Sequence, residues 1–119
     1  MKIQIHSYID TGKIQLERIA LKVISDCNLK FYCLHQSDAL DGGGFFHLPK
    51  HSYWFTPQEV KAGDWVVLYT NSGINSTKKN EDGSTSYFYY WGLDNVFFKN
   101  PTDIIVLAEI DSWQMKKNE

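Results

Sequence analysis

The chain has 119 residues and a formal charge of −2, from 12 basic and 14 acidic side chains. That is one domain's worth of protein, long enough to bury a core without disulfides or metal, and its 15% aromatic content beside 22% charged residues excludes a disordered segment. The near-neutral balance, with Arg18 as the only arginine, excludes a DNA-coating protein and leaves almost none of the planar forks that read phosphate and guanine.

Met1 to His6 carries neither an apolar stretch nor a small-residue cleavage site, so no signal peptide is expected. The longest uncharged apolar run, Ile104 to Ala108, is strand-sized and far short of the roughly 20 residues of a membrane helix. Cys27 and Cys33 match no zinc spacing and are expected to be reduced, in a cytoplasmic protein.

In chain order, Ile3 and Ile5 alternate with Gln4 as in a strand. Leu16, Ile19, Ala20, Val23 and Ile24 fit helical spacing, whereas Ile19, Leu21 and Val23 fit a strand. The β-branched content favours the strand. Leu29, Phe31 and Cys33 share one strand parity. Ser37 to Gly44, with Gly42-Gly43-Gly44, reads as a loop. After the short aromatic run Tyr53 to Phe55, Thr56, Pro57 and Glu59 form a capping pattern, predicting one helical turn ended by Gly63. Trp65 to Tyr69 is a β-branched and aromatic strand. Asn71 to Ser86 is a long polar excursion in which Asp82-Gly83 suits a hairpin turn. Tyr87 to Trp91, Val96 to Phe98 and Asp103 to Ile110 complete a set of short strands. About seven such strands separated by turn signals predict an antiparallel all-β domain.

The order of these segments carries a resemblance. It consists of the opening strand Glu17-Arg18-Ile19-Ala20-Leu21-Lys22-Val23, then Ser25 to Leu29, a strand ending Tyr32-Cys33-Leu34, Tyr53-Trp54-Phe55, and Val60-Lys61-Ala62-Gly63-Asp64-Trp65-Val66-Val67-Leu68. The chain resembles the lamin tail domain, versions of which occur in bacterial proteins. The resemblance spans roughly residues 17–113 and implies a single immunoglobulin-like β-sandwich filling the chain. It also supports the strand reading of Arg18 to Ile24. The second strand has Tyr32 where the family usually has Trp, and the segment from Asp38 to Ser52 and the Tyr87 to Trp91 strand are this chain's own.

His35, Asp38, Asp41, His47 and His51 are residue types that bind zinc or manganese, but their spacing matches no closed or catalytic pattern. Cys33 and His35 share a strand face, as a nucleophile–base pair would. Gly42 to Gly44 lacks the Lys-Ser/Thr and helix of a phosphate loop. In Tyr87-Phe88-Tyr89-Tyr90-Trp91, alternate rings face opposite ways. Either Phe88 and Tyr90 enter the core and Tyr87, Tyr89 and Trp91 face outward, or the reverse. A loop such as Phe45-Phe46 with Tyr53-Trp54 would cover the outward set if it is not a contact surface.

These features predict a non-enzymatic, protein-binding interaction module using Tyr87, Tyr89, Trp91 and Trp54. No catalytic residues, cofactor or metal ligands are expected, and the chain should be a monomer or weak homodimer. Two alternatives follow from the same residues. One is a small metal-dependent hydrolase on the His35–His51 loop. The other is a weak single-stranded nucleic-acid binder, favoured by Lys78, Lys79 and Lys99 and opposed by Glu81, Asp82 and Asp94.

Overall fold

Residues with branched or aromatic side chains pack well on a pleated surface, and they dominate the central strands Trp65–Tyr69 and Thr85–Tyr90 among the ten strands of the computed structural model, which describes residues 1–118. The strands are β1 (Ile3–Ile9), β2 (Arg18–Val23), β3 (Cys27–Asn28), β4 (Tyr32–Asp38), β5 (His51–Trp54), β6 (Glu59–Val60), β7 (Trp65–Tyr69), β8 (Ser76–Lys79), β9 (Thr85–Tyr90) and β10 (Asp103–Glu109). The protein is all-β.

Three sheets form, in the orders β1-β2-β7-β9-β8, β10-β4-β5 and β3-β6. Ile19, Leu21, Val66, Leu68 and Tyr89 of the first join Tyr32, Leu34 and Ile105 of the second in one buried cluster. Ile3 is fully buried in it, so the core begins well before residue 17. Burial of each large apolar side chain contributes about 1.5–3 kcal/mol, which makes this shared layer the main source of cohesion.

The first sheet is mixed rather than antiparallel. The chain leaves β7, turns back as β8 one strand-width too far out, and returns through the Asn80–Ser84 turn as β9 in the gap. β9 therefore runs parallel to β7 and antiparallel to β8. Gly83 takes φ of 90° in that turn, where a glycine costs little. Gly63, at φ 94°, does the same ahead of β7. The neighbouring Asp64 is buried and accepts from the amides of Lys61 (2.9 Å) and Thr85 (2.9 Å), tying the turn to the start of β9.

Three predicted elements take another form. Leu29–Phe31 is a 3-10 turn rather than strand, because Asn28 Oδ1 accepts from the amides of Lys30 (3.0 Å) and Gln58 (3.1 Å) and holds the chain in a bend. The segment after Thr56 is not helical. Glu59 and Val60 pair with Asn28 and Cys27, and the Glu59 carboxylate accepts from Asn28 Nδ2 at 3.0 Å instead of closing a cap. Val96 to Phe98 is irregular, because its amides turn to a carboxylate. Glu17, fully buried, accepts from the amides of Phe97 (2.6 Å), Phe98 (3.2 Å) and Gly12 (2.7 Å) and from the Thr70 hydroxyl (2.7 Å).

Candidate functional site

The aromatic strand adopts the reverse of the outward-facing arrangement. Tyr89 is 6% exposed and lies in the core, while Tyr87 and Trp91 are half-buried and pack against it. Tyr89 meets Phe55 edge-on at 5.2 Å, and Trp91 contacts Tyr53 at 5.9 Å and Phe97 at 5.5 Å. Burial pushes the Tyr89 hydroxyl up to about 12. Tyr87, Tyr89 and Trp91 thus serve packing, and Tyr89 offers no surface to a partner. The physical reason is register: Tyr87 and Tyr89 stand opposite Val66 and Leu68, the buried pair of β7.

Phe88 and Tyr90 take the outer face of the five-stranded sheet, in register with Val67 and Tyr69 of β7, and Trp65 lies on the same face opposite Ser86. Their ring faces are largely engaged. Tyr69 and Tyr90 stack on each other (5.1 Å, 13° between planes), the Lys22 ammonium sits 4.1 Å from the Trp65 centroid, and the Arg18 guanidinium lies 5.5 Å from that of Tyr69. His6, at a β1 bulge, meets Trp65 edge-on at 4.9 Å.

Trp54 is the exposed member of the predicted set, at 46%. It ends β5, an edge strand of the three-stranded sheet. Its indole N–H donates to the Lys30 carbonyl at 2.7 Å, which fixes the ring. Trp113 packs edge-on against it at 5.1 Å, and Phe31 contacts Trp113 at 5.8 Å. Ile110 donates to the Phe31 carbonyl at 2.7 Å and so holds the following segment over this face. Trp113 and Phe31 are 49% and 37% exposed, giving three touching rings open to solvent. Beneath them, Cys33 and Ala108 stand in register with Trp54 on the outer sheet face. Phe31 and Trp113 were not singled out by sequence. Phe31 stands beside Tyr32 in a stretch that reads as strand and Trp113 stands alone, and the turn at Leu29–Phe31 with the Ile110–Phe31 bond brings them beside Trp54.

The His/Asp set is not brought together. His35 and Asp38 lie three apart on β4 and therefore on opposite faces. His35 pairs with the Ser52 hydroxyl at 2.7 Å, His47 stacks on Phe45 at 4.3 Å, and Asp38 is 3.4 Å from the Lys50 ammonium. Among the described residues, no group of three His, Cys, Asp or Glu could hold a metal ion. Cys33 is buried and its thiol is pushed up by that burial, opposite to the activation a nucleophile needs. Among the described residues, no helix is long and apolar enough to cross a membrane. In comparisons with known proteins, the chain matches no family model, no curated protein and no solved structure.

Proposed function

We propose that this chain is a non-enzymatic protein-binding module. It would be an immunoglobulin-like β-sandwich of the lamin-tail kind, with the Phe31–Trp54–Trp113 patch as its contact surface. The observation that carries the reading is three aromatic rings in a row, Trp113 touching both Trp54 and Phe31 and each more than a third exposed, beside the open edge of β5. Tyr and Trp concentrate binding energy at interfaces, and an edge strand offers unpaired N–H and C=O groups. The occupant that fits both is an extended, apolar segment of a partner protein that adds to β5 and lays a side chain on the rings. The unpaired thiols Cys27 and Cys33 support a reducing, cytoplasmic setting. Base stacking by single-stranded nucleic acid is less favoured, because on the outer face of the five-stranded sheet Tyr69 and Tyr90 stack on each other and Lys22 caps Trp65.

The test is panning of the immobilised chain against a displayed library of random linear peptides. Enrichment of apolar, β-prone sequences, reduced more than about tenfold by Trp54→Ser with Trp113→Ser, is expected. No enrichment, or the same peptides on the variant, would contradict the proposal. So would a concentration-dependent dimer abolished by the same changes, since the patch would then take a second copy.

A further inference from the structure

The segment after β10 crosses the aromatic patch. Ile110 donates to the Phe31 carbonyl at 2.7 Å, one step beyond the Glu109–Tyr32 pair that ends the β10–β4 ladder. From Asp111 onward the chain has no regular structure, and every residue from 111 to 118 is exposed. Among the described residues, no backbone hydrogen bond and no ion pair involves residues 111–118. What holds this segment is the Trp113 ring, edge-on to Trp54 at 5.1 Å (89° between planes) and 5.8 Å from Phe31. Met115, its other large apolar side chain, is 79% exposed and anchors nothing. Only Asp111 and Ser112 separate Trp113 from Ile110, so the ring stays at high local concentration over Trp54. An exposed segment held by one side chain opens at little cost.

We propose that residues 111–118 are an internal ligand of the patch. Trp113 occupies the place on Trp54 and Phe31 that an aromatic side chain of the partner segment takes, and the partner displaces it. This rests on the patch being the contact surface. An edge-on aromatic pair is a modest, directional contact, enough to keep a tethered ring in place. A partner segment that adds to β5 makes backbone hydrogen bonds that residues 111–118 do not make, and so it prevails at the site. Trp54 stays 46% exposed with Trp113 against it, and its indole N–H is fixed on the Lys30 carbonyl at 2.7 Å. The receiving ring is therefore set before the partner arrives, and only Trp113 has to move. Until then the internal ligand shields part of an apolar patch that would otherwise invite unspecific association.

The probe is a peptide enriched on the unchanged chain by the panning above, and its binding kinetics are measured by surface plasmon resonance. Enriched sequences should carry an aromatic residue. Trp113→Ser should tighten binding about threefold to tenfold, with the gain in the association rate, because the open fraction rises. Trp113→Phe keeps a ring against Trp54 and should bring the rate back toward that of the unchanged chain. With 5-fluorotryptophan in the unchanged chain, the Trp113 fluorine resonance is assigned by its loss in Trp113→Ser. It should move to the position of a solvent-exposed indole as the peptide saturates. Trp54→Ser separates the two claims. No enrichment in the panning, or binding kept in Trp54→Ser, removes the contact surface and the internal ligand with it. Where binding is lost in Trp54→Ser, three results overturn the internal ligand alone: enriched peptides without aromatic residues, unchanged or weaker binding to Trp113→Ser, or a Trp113 resonance that stays in place.

Discussion

Glu17 is the best-connected side chain in the fold, and Glu17→Gln tests what that connection contributes. Each carboxylate oxygen takes two donors: Oε1 from Thr70 Oγ1 and Phe97 N, Oε2 from Gly12 N and Phe98 N. The amide keeps one oxygen and turns an N–H₂ toward the other pair. Two donors then lose their acceptor, the new N–H₂ faces them without a partner, and the remaining bonds lose their charge assistance. An unsatisfied buried group costs about 1–3 kcal/mol, so the change should remove about 3–5 kcal/mol, a large share of the 5–15 kcal/mol typical of a domain. Equilibrium urea denaturation followed by far-ultraviolet circular dichroism measures it, and the midpoint should fall with little change of slope. Because the network joins the Gly12 loop, the end of β7 and the Phe97–Phe98 segment, amide exchange should speed up at all three. A loss under about 1 kcal/mol would refute the claim that this carboxylate holds the loops to the core.

Three further outcomes follow. Gly73→Ala places a Cβ against the Tyr90 ring, which is stacked on Tyr69, and should cost about 1–3 kcal/mol in thermal or urea unfolding. Asp64→Ala frees the amides of Lys61 and Thr85 and should cost about 1–3 kcal/mol, with faster exchange of the Thr85 amide by NMR. Burial raises the hydroxyls of Tyr32, Tyr53, Tyr87 and Tyr89, that of Tyr89 to about 12. A raised folded-state value means the stability is fully present below the unfolded value near 10 and is lost as pH rises through the folded one. Unfolding should therefore accompany the alkaline limb, and absorbance at the phenolate band should show a late, cooperative step. Independent titration of all the tyrosines in a folded chain would contradict this.

The strand from Arg18 to Val23 was legible because Ile19, Leu21 and Val23 share one parity, and that from Trp65 to Tyr69 because every position is β-branched, aromatic or leucine. The hairpin at Asp82-Gly83 was legible from turn chemistry. The facing of Tyr87 to Trp91 was not, because both parities carry aromatic rings and only the partner strand decides between them. Parallel pairing of β7 with β9 was equally hidden, since alternation reports faces and not neighbours. Glu17 was read as the opening of a strand; its partners lie 53 and 80 residues further along, beyond any local pattern. Within the candidate site, Trp54 was visible as part of the aromatic run Tyr53 to Phe55, whereas Phe31 and Trp113 come to it through tertiary packing.

The most direct measurement is chemical-shift mapping of a library-selected peptide on the ¹⁵N-labelled chain. Changes should concentrate on the Trp54 and Trp113 indole N–H groups and the amides of His51 to Trp54. Changes confined to the outer face of the five-stranded sheet or to the exposed β8 edge, with the two indoles unmoved, would contradict the proposed contact surface.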